Sequence, residues 1–245
     1  MIKRILISAI LGLLFLASCK KDNTNPSSGN SLPKTYTEDV RSTGFNSKVT
    51  YNLAYDENNR LVSMAAIPDP SVTKFVYAYT GNISVTMDLY NYGVFGIHEI
   101  LWLNSSSFLD STFQFNNTQD TMTEKYIYNS GKQLIQLKSY DYSSSGTVLD
   151  NTTVYAYDNS GNVTKESDDN GKVITYTYTN ISNSLSLGQT FLPLPKYFIN
   201  TATTSSGGSP VTATHFYSFD SSNRLIKDSS YVSGEDVIAI KSYTF

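Results

Sequence analysis

The chain is short of the residues that reactive chemistry usually needs. It carries one cysteine, one tryptophan and two histidines, and only 16% of its 245 residues are charged. A single thiol excludes an internal disulfide, so a folded domain must be held by packing and backbone hydrogen bonds. His98 and His215 lie far apart without HExxH spacing, which leaves a metal site unsupported. There is no GxSxG elbow and no glycine loop built to cradle phosphate, so no cofactor is expected. Lys and Arg total 18 against 21 Asp and Glu with no basic patch, which argues against nucleic acid. The one long apolar run, Ile5 to Leu16, ends before Lys20 and Lys21, well short of the about 20 residues a helix needs to span a bilayer.

What that run does have is a basic start at Lys3 and Arg4 and small residues at Ala17 and Ser18, the parts of a secretory signal over residues 1–18. Leu16-Ala17-Ser18-Cys19 resembles the lipobox of bacterial lipoproteins. The resemblance implies cleavage before Cys19, lipid on its thiol, and a lipoprotein held at the outer membrane in a Gram-negative cell envelope. Without Lys3 and Arg4 the formal charge moves from −3 to −5. Residues 19–34 are polar, contain Pro26 and Pro33 and lack apolar periodicity, as a flexible tether does. Lys20-Lys21-Asp22 is similar to the short charged signals that send lipoproteins to the outer face of that membrane. A solvated linker accounts for it equally, so both faces stay open.

From residue 35 to 245 the polarity alternates with period two, the mark of strands with one buried face. Val49, Tyr51, Leu53 and Tyr55 alternate with Lys48, Thr50, Asn52 and Ala54, and Val85, Met87 and Leu89 behave likewise. Turn formers cluster between the runs, and no segment sustains a helical period. The expectation is a single all-β domain, an antiparallel meander of roughly 14–16 strands forming a curved sheet or half-open barrel. Thr203 to Pro210 reads as its longest loop and Phe191 to Pro195 as a second irregular stretch.

One unit recurs. Leu53-Ala54-Tyr55-Asp56, Tyr155-Ala156-Tyr157-Asp158 and Tyr217-Ser218-Phe219-Asp220 each precede a turn rich in Asn, Ser or Gly and then an aliphatic residue, Leu61, Val163 or Leu225. Tyr126-Ile127-Tyr128-Asn129, leading to Leu134, is a looser copy. Large residues two apart share a strand face, Asp or Asn caps the turn, and the turn residues tolerate positive φ. These units resemble the tyrosine-aspartate (YD) repeats of RHS-like extracellular proteins. With the lipobox, the chain resembles the lipid-anchored β-proteins of unknown function grouped as DUF4595. That resemblance implies a porin-like fold, and the repeat class implies carbohydrate binding or the building of a β shell.

Candidate functional residues are therefore surface aromatics. Trp102, Tyr90, Tyr92, Tyr140 and Tyr142 fall where both faces of a strand carry bulky groups, and outward rings could stack on sugars. Cross-strand pairing that stabilises the sheet is the competing reading. Asp110-Ser111-Thr112 and Asp120-Thr121-Met122 resemble acceptors of periplasmic O-glycosylation at Ser111 and Thr121. Glu166 to Gly171 reads as a hairpin turn and not a calcium loop. The leading functional expectation is a non-enzymatic binding domain for a glycan or protein on a concave aromatic surface. A carrier sheltering an apolar ligand in a half barrel is the alternative, and a glycan-active enzyme ranks below both. Cys19→Ala is expected to abolish palmitate labelling and membrane fractionation while leaving the domain's unfolding transition unchanged. Continued labelling of that variant would refute the anchor.

Overall fold

A computed structural model describes residues 32–116, 121–143, 146–183, 191–234 and 236–245. Cys19, the signal segment and the tether up to residue 31 lie outside the described residues. Sixteen strands follow in chain order: β1 (Thr35–Ser42), β2 (Phe45–Tyr55), β3 (Leu61–Ile67), β4 (Thr73–Thr80), β5 (Ser84–Asn91), β6 (Val94–Leu103), β7 (Leu109–Asn116), β8 (Thr121–Tyr128), β9 (Leu134–Ser143), β10 (Gly146–Tyr157), β11 (Val163–Asp168), β12 (Val173–Ser182), β13 (Tyr197–Ser205), β14 (Val211–Phe219), β15 (Leu225–Val232) and β16 (Val237–Thr244).

Each strand pairs antiparallel with its sequence neighbours, and β1 pairs with β16 from Thr35↔Thr244 to Arg41↔Ile238, closing the barrel. The all-β meander is as expected, but the sheet is closed and not half-open. Two free edges would each expose a row of unpaired backbone groups, and their mutual pairing removes both. Thr203–Ser205 extends β13, so the loop anticipated from Thr203 is confined to residues 206–210. The threonines there pair across strands, with Thr203 and Thr212 hydroxyls 2.9 Å apart.

Closure separates the two faces of every strand. Inward positions include Tyr36, Tyr51, Met64, Phe75, Val85, Met87, Leu89, Leu101 and Tyr126, all buried. Outward positions are mostly Thr and Ser with exposed Lys48, Lys74, Lys125, Lys165 and Lys227, interrupted by exposed Val154, Phe216, Tyr231 and Ile238. A lipid-embedded barrel has the reverse arrangement, with an apolar band outside and polar groups within.

The recurring unit folds into one five-residue turn. At Asp56, Asn104, Asn129, Asp158, Asp168 and Asp220 the backbone N–H donates to the carbonyl four residues on, and the N–H three residues on donates back. The side-chain Oδ1 accepts the N–H of the fourth residue in every case, at 2.8–3.2 Å. The residue three on has positive φ: Asn59 (59°), Ser107 (61°), Lys132 (64°), Gly161 (86°), Gly171 (79°) and Asn223 (59°). This is a hairpin turn ending in a left-handed residue, and at all of these turns except Asp168 the strand register slips by one. Arg60 and Arg224 add a brace, each bridging its own turn aspartate at 2.6 Å and lying 4.3 Å over the Tyr79 or Phe245 ring.

The slip also accounts for three of the 19 tyrosines. Tyr79, Tyr157 and Tyr178 donate their hydroxyls to the carbonyls of Leu61 (2.9 Å), Leu134 (2.7 Å) and Val163 (2.7 Å), the aliphatic residues that open the return strands. Each tyrosine buries its ring and satisfies a carbonyl beside the slip.

The turns at Asp56, Asn104, Asn129, Asp158 and Asp220 gather at one end of the barrel, where the chain also enters. There Pro33 is buried, Lys34 N–H donates to Thr244 O at 2.6 Å, and Leu53 N–H donates to Lys34 O at 2.8 Å. The Phe191–Pro195 stretch lies across this entry end. Phe191 and Leu192 are buried, Phe191 O accepts Leu109 N–H at 2.7 Å, and Asn162 Oδ1 accepts the N–H groups of Lys196 (2.9 Å) and Tyr197 (3.3 Å). Tyr157→Phe should lower the unfolding free energy by about 0.5–1.5 kcal/mol, the net worth of one hydrogen bond, as read from urea denaturation.

Candidate functional site

Exposed apolar side chains occur on other strands too, Phe216, Tyr231 and Ile238 among them, but on the outer face of β5–β9 aromatic rings run together. Phe113 and Phe115 point outward because the polar Thr112 and Gln114 between them are the buried pair, at 2% and 8% exposure. With their neighbours they form a file of rings around the wall. Tyr90 lies 6.0 Å from Phe95, Phe95 lies 6.4 Å from Phe115, Phe115 lies 6.2 Å from Phe113, and Phe113 lies 6.0 Å from Tyr142. His98 packs 4.9 Å from Phe115, and its Nδ1 is hydrogen-bonded to Asp88 across β5 and β6.

The five aromatics anticipated from sequence are not all together. Tyr90 and Tyr142 terminate the file. Tyr140 lies beside it, opposite Thr123, which is opposite Phe113. Tyr92 is at the β5–β6 turn, 76% exposed with φ of 50°. Trp102 also faces outward, opposite Ser84 and Ser111, but stands four residues along β6 from His98, on the order of 13 Å toward the entry end. Phe95, Phe113, Phe115 and His98 are the members that sequence reasoning missed. Period-two logic assigns phenylalanine inward, and only Thr112 and Gln114 reverse it here. Ser111 and Thr121 both face outward, Ser111 opposite Trp102 and Thr121 opposite Phe115. The file occupies the half of the wall away from the entry end, beside the β5–β6 turn. The surface it covers is the convex outside of the barrel, not a concave one.

Inside the barrel, from β6 to β12, lies an acid and tyrosine network. Glu99 and Glu124 are 2% and 4% exposed. Glu124 accepts the Tyr126 hydroxyl at 2.6 Å, and Glu166 accepts that of Tyr176 at 2.7 Å. Burial, reinforced by the Glu124 charge, pushes Glu99 up to about 8, and burial raises Glu124 and Glu166 as well. Tyr155 is held up by burial and then by the fields of Glu166 and Glu124. Among the described residues no group of three or more His, Cys, Asp or Glu side chains is arranged to hold a metal ion. Asp168 to Lys172 is a hairpin turn, as expected.

No protein-family model matches the chain, and no curated protein matches it in sequence. Among solved structures it is similar to a porin-like protein from Bacteroides uniformis, with a TM-score of 0.64 and 14% identity over 90% of this chain and 99% of that one. A porin-like protein from Bacteroides vulgatus gives a TM-score of 0.55 and 10% identity over 88% of this chain and 99% of that one. At these identities the likeness is one of fold: the chain is a porin-like all-β barrel.

Glu99 makes the barrel pH-sensitive. Its carboxyl stays protonated in the folded state to about 8, against an ordinary value of 4.5, so the folded state binds the extra proton in between. Stability from this group is therefore greatest at low pH and falls as pH rises through that window. Glu99→Gln should flatten this slope and raise the melting temperature at pH above that window, as measured by calorimetry across pH. A variant with the wild-type slope would disprove the assignment.

Proposed function

We propose that the protein is a lipid-anchored, non-enzymatic cell-envelope barrel that stands in water and binds an extracellular glycan across its outer aromatic file. The single observation that carries this reading is the file itself: five rings following one another in 6.0–6.4 Å steps along one strip of the wall. Single-file rings on a convex strip offer successive stacking faces to an extended chain of sugars, whereas a protein hot spot prefers a compact, pocketed centre. Thr121, Thr123 and the His98–Asp88 pair supply hydroxyl-binding groups along the strip.

Orientation supports the same reading. The chain enters the barrel at the end opposite the file, so an anchor at Cys19 would leave the rings on the side away from the membrane. Outward lysines on β2, β4, β8, β11 and β15 support a water-facing wall. An apolar carrier has less support, since the barrel is closed and Phe191 and Leu192 fill its entry end.

A glycan array with purified protein tests the proposal. Phe115→Ala and Phe113→Ala should each weaken the recognised glycan by about tenfold, in line with the worth of one aromatic contact. Trp102→Ala should leave it unchanged. Equal binding by wild type and both phenylalanine variants would sink the reading, as would hydrolysis of any arrayed glycan. Saturable binding to a protein with no glycan signal would move the file to a protein partner.

A further inference from the structure

The barrel interior is not uniformly filled. Against β3–β7 the inward side chains are packed shut, with Ala66, Phe75, Val85, Met87, Leu89 and Leu101 at 0–4% exposure. Along β14, β15, β16 and β1 the corresponding inward positions Ser230, Ala239, Val40 and His215 are only partly buried. They are smaller or more polar than the side chains that fill the β3–β7 side.

One register row crosses these strands. Tyr217 faces Asp228, Asp228 faces Lys241, and Lys241 faces Glu38. The row thus reads acid, base, acid over three adjacent strands, with His215 Nδ1 3.1 Å from Asp228 Oδ1. Among the described residues Lys241 makes no ion pair, although carboxylates occupy both neighbouring strands. Toward the entry end the next row is an aromatic floor, Tyr243–Tyr36–Tyr51, with ring centroids 5.5 and 6.1 Å apart.

A second, independent observation concerns Tyr36. It is 1% exposed, yet its hydroxyl has no hydrogen-bond partner. A buried polar group without a partner costs on the order of a hydrogen bond and is uncommon unless something satisfies it. Tyr36 shares the inward face of β1 with Glu38, and the charges of Glu38 and Asp228 both act on its hydroxyl.

We propose that the lumenal row Asp228–Lys241–Glu38, above the Tyr36 and Tyr243 rings, is a binding site for a small neutral polyol, a monosaccharide or a terminal sugar. A cationic ligand would meet Lys241 one strand from either carboxylate, and an anionic one would meet a carboxylate on each side of the lysine. A neutral sugar uses both signs: carboxylates accept from its hydroxyls, while Lys241 and the unpartnered Tyr36 hydroxyl donate to them. Apolar surroundings with a few convergent polar groups are the usual make-up of such sites. The site is separate from the outer file and does not depend on it.

Saturation-transfer NMR on the full-length protein with glucose, galactose, mannose and N-acetylglucosamine, each at millimolar concentration, tests this. At least one sugar should bind, with its affinity lowered about tenfold or more by Asp228→Asn or Lys241→Met and about two- to tenfold by Tyr36→Phe. Phe115→Ala should leave it intact, which separates this site from the outer file. Should Asp228→Asn unfold the barrel, Lys241→Met and Tyr36→Phe carry the test. No binding by any of the four sugars would overturn the proposal. So would binding that survives all three lumenal variants, or displacement only by methylammonium or acetate.

Discussion

Pairing of β1 with β16 gives this meander an inside, and the remaining organisation depends on that ring. In an open sheet both faces could remain wet, and alternation would sort side chains only weakly. Once the ring closes, a single-residue change in register exchanges lumen for surface along a whole strand. Buried tyrosines, outward lysines, the acid network and the exposed phenylalanines are all consequences of where that alternation falls.

The turns maintain the alternation. A slip that moved the paired tyrosines outward would leave their carbonyl partners unsatisfied, and the Asp or Asn side chain sets where the slip occurs. Turn and tyrosine form a paired device: one creates a carbonyl outside the regular ladder and the other satisfies it. Because five of the six turns sit at the entry end, the aromatic and aliphatic residues flanking them fill that end, joined by Phe191 and Leu192. In the opposite half the inward residues are smaller and more polar only along β14, β15, β16 and β1, while β3–β7 stay packed with Phe75, Met87 and Leu89. The barrel is therefore a blind cup in outline, with aromatics as its floor and two kinds of surface near its rim.

The exposed rings and the lumenal row show two uses of the same chemistry. Aromatic rings occur on both faces, and each set has polar or charged groups beside it: the His98–Asp88 pair outside and the Asp228–Lys241–Glu38 row inside. A glycan lying along the wall and a sugar entering the lumen would meet different mixtures of stacking and hydrogen bonding. The wall and the interior thus differ in exposure more than in residue type.

Strand number, antiparallel order and the caps at Asp56, Asn129, Asp158 and Asp220 were legible in the sequence, because alternation and turn chemistry are local and act within a few residues. Export and lipidation at Cys19 were readable in the same way as an expectation. Barrel closure was not, since pairing of residues 35–41 with 238–244 is a contact between the two ends of the domain that no local pattern encodes. Nor was the outward turn of Phe113 and Phe115, where buried Thr112 and Gln114 reverse the polarity that alternation normally follows. Tyr90 and Tyr142 could be named from sequence, but their joining through phenylalanines, and the separation of Trp102 from them, arise from register across five strands. Local chemistry determines which residues can turn, pair or stack; only the closed ring decides which of them meet.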